Sequence, residues 1–215
     1  MQLGTDALPL FWLAMRIIAG TYRSRTLAAP PGMSTRPTSD RLRETLFNVL
    51  APRIKGAVFL DLYAGSGAVG LEALSRRAAS VTYVERAPAA LKVLDGNLAR
   101  LGISEGVNIH RKRVSAFLRG ITGTNPKPEE DPKPGKNEVV FLDPPYEAAE
   151  EYAIALGLLG GAAKGILAEG AVVIAEHRRK FALDERYGSL KRTRVLEQGD
   201  AALSFYAIES DATQA

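Results

Sequence analysis

Two short stretches of the chain hold residue types whose spacing could do chemistry. The first is Asp61-Leu-Tyr63-Ala64-Gly65-Ser66-Gly67, which begins at the end of the continuous apolar run Ala57–Leu62. A run of that kind is expected of a strand buried on both faces. Glycines just beyond it let the backbone pass close to a ligand, and ligands of open parallel sheets bind outside the carboxyl ends of the strands. Glu85 closes the next apolar run, Ser80–Val84, with Arg86 beside it. A carboxylate in that position can accept hydrogen bonds from both ribose hydroxyls of a nucleoside. Gly65-x-Gly67-x-x-Gly70 with Glu85 beyond it also matches the dinucleotide fingerprint, so a nicotinamide oxidoreductase stays open at this point.

The second stretch, Asp143-Pro144-Pro145-Tyr146, follows the apolar run Val139–Leu142. Consecutive prolines donate no backbone hydrogen bonds and hold the chain extended, leaving a stiff loop with free carbonyls. An aminated base offers two N–H donors. Asp143 and the carbonyl of Pro144 can take one each, which aims the nitrogen lone pair at a methyl donor, while Tyr146 can stack on a flipped-out ring. With this second element, Asp61-x-x-x-Gly65-x-Gly67 resembles motif I of the S-adenosylmethionine-dependent methyltransferases.

These loops need a scaffold, and the chain reads as an alternation of strands and helices. Arg16–Ala19 reads as a short strand, followed by a turn-rich basic stretch. Thr38 or Ser39 can cap a helix running to Leu50, with Leu42, Leu46, Val49 and Leu50 on one face. Strands are expected at 57–62, 80–84, 107–110, 138–142 and 171–175. Helices are expected at 69–76, 89–101 and within 150–159. The strand-like segments 191–197 and 202–208, joined by a turn with Gly199 and Asp200, read as an antiparallel hairpin. The order implies an α/β fold with a doubly wound, mostly parallel sheet. Residues 122–137, with four prolines and almost no apolar side chain, read as a surface loop.

Composition sets the outer limits. At 215 residues and 46% hydrophobic, the chain suits one domain with a sizeable core. It has no cysteine and two histidines, His110 and His177, so disulfides and thiolate metal sites are excluded and no metal is expected. The apolar segment Leu8–Ala14 is shorter than the roughly 20 residues of a membrane span. It has no basic stretch before it, so no export signal or membrane association is read. A cytoplasmic setting is expected. Residues 1–14 read as an N-terminal extension before Met15, and Trp12 within it is assigned nothing. The net charge is +4, but residues 15–55 hold eight basic residues against Asp40 and Glu44. Arginines neutralise phosphates and stack on bases, so this arm is a candidate nucleic-acid footprint.

With these motifs in place, residues 15–208 resemble the bacterial 16S rRNA guanine-N2 methyltransferase family, RsmD. The similar segments are Arg16–Gly20, Arg36-Pro37-Thr38 with Arg41 and Arg43-Glu44, Leu46–Asn48, Asp61–Gly67, Glu72–Arg76, Asp143–Tyr146 and Leu203–Tyr206. The resemblance implies a class I methyltransferase (Rossmann-like) fold. Its mostly parallel sheet would have seven strands, with a C-terminal antiparallel hairpin and a small N-terminal β-hairpin. The implied layout is an extension at 1–14, a basic hairpin and helix at 15–55, and a methyltransferase domain at 56–210. The implied cofactor is S-adenosylmethionine. The substrate would be one guanine of 16S rRNA in an assembled or assembling small ribosomal subunit, and the enzyme a monomer.

Carried over by position, Asp61, Tyr63, Ala64, Gly65, Ser66 and Gly67 would hold the methionine part of the donor, and Glu85 with Arg86 its ribose. Asp143 and Pro144 would orient the guanine amino group, with Tyr146 on the base. Arg36, Pro37 and Thr38 would line the mouth of the active site, contacting RNA or closing over the cofactor, and Arg23, Arg25, Arg41 and Arg43 of the basic arm would face RNA. The family commonly has an acidic residue after the third strand, near the adenine. Here Arg113-Val114-Ser115 stands there, so the backbone of Val114 or the hydroxyl of Ser115 would serve. A methyltransferase acting on adenine N6 or on a protein glutamine uses the same Asp/Asn-Pro-Pro-aromatic loop and stays open. So does a non-catalytic RNA-binding protein. His177 is expected to be a hydrogen-bonded structural residue.

Overall fold

Short apolar runs separated by helical stretches can bury themselves only as the centre of a layered sheet. In the computed structural model, which describes residues 15–29, 37–121, 136–145 and 148–209 (backbone alone for 37–39), they do so in a single sheet. Its strands are β1 (Val58–Leu62), β2 (Ser80–Val84), β3 (Val107–His110), β4 (Asn137–Leu142), β5 (Leu167–Arg178), β6 (Arg186–Tyr187), β7 (Leu190–Gln198) and β8 (Ala201–Ile208). The order across the sheet is β3-β2-β1-β4-β5-β8-β7-β6. β3 through β5 run parallel, and β8, β7 and β6 add on antiparallel. The chain moves from β1 outward to β3 and then returns to β4 on the other side of β1. That reversal opens a crevice above the carboxyl ends of β1 and β4, where Leu62 pairs with Leu142. Asp61 and Asp143 stand at its edge.

Alternation along the strands divides the core into two faces. Phe59, Val139, Phe141 and Ile174 pack on one side with α1 (Pro37–Leu50), α2 (Ala68–Ser75) and α3 (Pro88–Leu101). Leu60, Leu62, Val140, Leu142 and Val173 pack on the other with α4 (Val114–Ile121) and α5 (Ala149–Gly160). α1 covers the first face through Leu42, Leu46 and Leu50, as their spacing predicts, with Phe47 buried beside them and Val49 only partly buried. Pro37 opens this helix, ahead of the Thr38 or Ser39 expected as cap. A missing N–H costs nothing at a first helical position.

Several boundaries differ from the sequence reading. The sheet has eight strands rather than seven because the two-residue β6 pairs with β7, a length that leaves no periodic signal. β5 has twelve residues, starting at Leu167, because a register shift between Asn137 and Val139 carries the pairing past Glu169 and Gly170. Asn137, the end of the expected loop, opens β4 and is buried, its amide donating to the carbonyl of Ile166 at 3.1 Å. α4 was not expected at all. Residues 1–14, Arg36, 122–135 and Tyr146, of which the sequence also raises expectations, lie outside the described residues.

The N-terminal hairpin is rudimentary, with one bridge between Arg16 and Thr26. Besides its own backbone hydrogen bonds it is fastened to α2. The fully buried carboxylate of Glu72 accepts the amides of Ile18 (2.7 Å) and Ala19 (3.0 Å) and the Nε of Arg76 (2.8 Å). Gly20 has φ +87°, and a Cβ there would lie 1.9 Å from the carbonyl oxygen of Ser75, so the arm can lie this close only as glycine. No helix among the described residues is long and apolar enough to cross a membrane.

Candidate active site

The loop after β1 is bent by three left-handed residues, Tyr63 (φ 62°), Gly65 (φ 57°) and Gly67 (φ 79°). The tyrosine is the unusual one, since a bulky side chain rarely adopts this conformation. It is held there by its hydroxyl, which donates to Glu151 Oε2 of α5 at 2.8 Å, and by the Ala64 amide, which donates to the Val84 carbonyl at 3.1 Å. The Tyr63 side chain is thus committed to α5, and its backbone is what it offers to the loop. A Cβ on Gly67 would lie 2.3 Å from Leu94, and one on Gly70 2.3 Å from the Tyr83 ring. These two glycines therefore seat α2 against α3 and β2. Gly65 is different: it is half-buried, and among the described residues a Cβ there would meet only the Tyr63 carbonyl oxygen at 3.9 Å, which leaves room for a ligand.

Two carboxylates hold this loop from inside. Asp61 is buried, and its Oδ2 accepts the Gly70 amide at 3.0 Å. Gly70 lies in the first turn of α2, the point at which a dinucleotide pyrophosphate would be bound by the helix N-terminus. An internal carboxyl already takes that amide, which disfavours the dinucleotide reading of the glycine pattern. Glu85 accepts the Gly65 amide through Oε2 (2.9 Å) and the amides of Arg86 and Ala87 through Oε1 (2.7 Å each). Three amides thus fix its orientation while the residue stays half-buried and open to a ribose. Arg86 itself is exposed and enters through its backbone.

Asp143 follows β4 and Pro144 behind it is buried, while Pro145 is exposed and its carbonyl accepts the Ala148 amide at 2.8 Å. Burial pushes the Asp143 carboxyl up to about 7. Burial also raises Asp61 well above the usual carboxylate range, against the Gly70 hydrogen bond, with the charges of Asp143 and Glu85 adding to the rise. Glu176, near the end of β5, is raised in the same way by burial and by Asp143, and lowered by Arg43. Carboxylates that resist ionisation together favour a cationic ligand and oppose an anionic one. Among the described residues no three His, Asp or Glu groups converge to hold a metal, so these acids line the crevice without forming a chelating cluster. The room at Gly65, the oriented Glu85 and the carboxyl groups gathered at the crevice, which a cation would help to ionise, fit a cationic nucleoside donor such as S-adenosylmethionine.

Other expected residues are placed as follows. Ser66 is buried, and its carbonyl accepts Asn97 Nδ2 at 3.0 Å. Val114 begins α4 with its side chain in the core, leaving its backbone and the half-buried Ser115 at the end of β3. Arg23, Arg25 and Arg41 are exposed. Arg43, expected to face RNA, turns inward instead. It is buried and donates through Nη2 to the Arg16 carbonyl (2.6 Å) and to Asp40 (2.9 Å), with Nε 4.0 Å from Glu72. Pro37 and Thr38 lie in the first turn of α1. His177 is hydrogen-bonded to the Arg178 carbonyl (2.9 Å) and the Ser204 hydroxyl (2.8 Å).

Sequence reasoning missed Asn97. This buried residue of α3 accepts the Ala28 amide at 2.8 Å and donates to the Ala28 and Ser66 carbonyls at 3.0 Å each. It joins the end of the arm to the donor loop. The available signal was an asparagine among the leucines on the apolar face of a helix.

The sequence family described as Conserved hypothetical protein 95 matches residues 15–207. A Bacillus subtilis protein named "Putative rRNA methyltransferase YlbH" is 34% identical over 196 residues, covering 89% of this chain and 98% of that protein. Ribosomal RNA small subunit methyltransferase D of Escherichia coli is 42% identical over 132 residues, covering 61% of this chain and 60% of that protein. Among solved structures, "Putative methyltransferase yhhF" from Escherichia coli superimposes with a TM-score of 0.73 at 35% identity, covering 92% of this chain and 99% of that one.

Proposed function

Because the chain belongs to the Conserved hypothetical protein 95 family, which is the family of ribosomal RNA small subunit methyltransferase D, we propose that it methylates the exocyclic N2 of one guanine in 16S rRNA. The donor is S-adenosylmethionine, and the substrate is an assembled or assembling small subunit in the cytoplasm. The enzyme acts as a single chain. The observation that carries this reading is the pairing of an oriented donor loop on β1 with Asp143-Pro144 on β4, across the crevice where the strand order reverses.

The donor supplies a methyl group on a sulfonium, already a good leaving group. Guanine N2 is a poor nucleophile because its lone pair is delocalised into the ring, so the protein's task is chiefly positioning. The Gly65 backbone and Glu85 hold the donor. Asp143 and the Pro144 carbonyl accept the two N–H groups of the amine and turn the lone pair toward the methyl carbon, with Tyr146 stacked on the base. Asp143 also stabilises the positive charge that develops on nitrogen during in-line transfer. The product ammonium is strongly acidic, so no dedicated base is needed to remove its proton.

The test is methyl transfer from labelled S-adenosylmethionine to small subunits from a strain lacking the family enzyme, followed by nucleoside analysis. Labelled N2-methylguanosine is the expected product. Label in N6-methyladenosine would overturn the guanine assignment while keeping the methyltransferase. No label in RNA, despite donor binding, would move the substrate to another class such as a protein glutamine.

A further inference from the structure

The functional reading leaves Glu176 unused, yet the fold places it beside Asp143. β4 and β5 are adjacent parallel strands in which Phe141 pairs with Ile174 and Leu142 with Ala175, so the next position sets Asp143 against Glu176. Phe141 and Ile174 both face the α1–α3 side of the sheet. Alternation turns Asp143 and Glu176 to that same side, on strands roughly 4.8 Å apart. Arg43 of α1 packs over this face and its charge acts on Glu176.

The two outer carboxylates differ from the inner two in one respect. Asp61 and Glu85 are already bonded to backbone amides. Among the described residues, burial alone acts on Asp143, and burial with the charges of Asp143 and Arg43 acts on Glu176, with no hydrogen bond contributing to either. A pair of acceptors side by side at the ligand end of the sheet is thus left for donors that the described residues do not supply.

The chemistry of the bases says which donors fit. Guanine carries the N1–H of its ring next to the N2 amine, so three N–H bonds lie along one edge. Adenine and cytosine carry an amine next to a bare ring nitrogen, whose lone pair a carboxylate repels. We propose that Glu176 accepts the ring N1–H of the target guanine while Asp143 accepts the N2–H, so that Glu176 selects guanine over the other aminated bases. The charge of Arg43 draws the Glu176 carboxyl toward its ionised form, against the larger effect of burial and the charge of Asp143, which raise it. This inference rests on the guanine reading above.

The test compares small subunits reconstituted with rRNA carrying either guanine or 2-aminopurine at the methylated position. 2-Aminopurine keeps the exocyclic amine but has an unprotonated N1. The wild-type protein should prefer guanine in kcat/KM by on the order of tenfold to a hundredfold, since a site built to accept an N–H rejects the analogue lacking it. In Glu176→Gln the side-chain amide can donate to the bare nitrogen, and the preference should fall to within about threefold, with S-adenosylmethionine affinity within twofold of wild type. Glu176→Asp should keep the preference at a lower rate. Wild-type kcat/KM values equal for the two bases would overturn the proposal with no variant needed, as would a folded Glu176→Gln protein that still prefers guanine. Failure of the functional reading looks different: the wild-type protein would then place no label on guanine at all.

Discussion

Asp143 is the residue on which function and stability pull in opposite directions. Its folded-state carboxyl is raised to about 7, whereas an aspartate in an unfolded chain titrates near 3.9. The folded state therefore holds the proton more tightly. Stability is greatest below the unfolded value, falls as pH rises through the interval, and levels off above about 7. Turnover needs the ionised acceptor, so kcat/KM should rise between pH 6 and pH 8 as the carboxyl loses its proton. Asp143→Asn keeps a carbonyl acceptor but cannot titrate. It should retain part of the activity, lose most of this rise, and melt at a higher temperature than wild type at pH 8 but not at pH 4. Asp143→Ala should nearly abolish turnover while S-adenosylmethionine affinity, read by calorimetry, stays within a few-fold. Comparable turnover in the alanine variant would remove Asp143 from the chemistry. A pH profile unchanged in the asparagine variant would assign the rise to another group.

At the scale of elements, the donor loop depends on fastenings made by helices. Glu72 is buried in α2 with the arm's amides on one side and Arg76 and Arg43 on the other. Removing one partner of such a buried set leaves the others unpaired and costs roughly 3–5 kcal/mol. Glu72→Ala should therefore lower the denaturant midpoint sharply and expose the arm to trypsin at Arg23 and Arg25, while Glu72→Gln, which still accepts hydrogen bonds, should do less. Equal midpoints in wild type and Glu72→Ala would mean that the arm is held elsewhere. Asn97 ties the end of the arm to the donor loop, so Asn97→Leu should weaken donor binding as well as stability.

Fastenings like these explain which parts of the molecule were legible in the sequence. The parallel strands and α3 announce themselves because periodicity is a local property: Leu91, Leu94, Leu98 and Leu101 fall on one face whatever they pack against. The glycine loop and Asp143-Pro144 were legible because a strand end followed by glycines or prolines allows few conformations. Glu72 and Asn97 were not, because their partners lie 53 to 69 residues away and are backbone groups, which carry no sequence identity. Arg43 read as surface for the same reason: eight positive charges in one arm look alike until the fold buries one of them. α4 escaped because eight residues with three buried side chains barely exceed two helical turns.

At the scale of the whole molecule, the arm and α1 share the α1–α3 side of the sheet with the outer carboxylates, so the basic and acidic parts of the chain lie close together. The division is by depth. Arg43 is inside among the acids, while Arg23, Arg25 and Arg41 are exposed. Exposed arginines that contact phosphate release counterions on binding, and each contact steepens the salt dependence of affinity by roughly 0.7 to 0.9 in log K against log salt. Replacing Arg23, Arg25 and Arg41 together with alanine should weaken binding to small subunits and flatten that slope by about 2. The folding midpoint should barely change, because none of the three is buried. Single-turnover transfer at saturating protein should survive, since the donor loop and Asp143 are intact. Filter binding across a salt series would decide the point: a slope equal to wild type would place the RNA on another face of the molecule, whereas a flattened slope with transfer retained would make the arm a phosphate clamp that delivers the base to a separately built pocket.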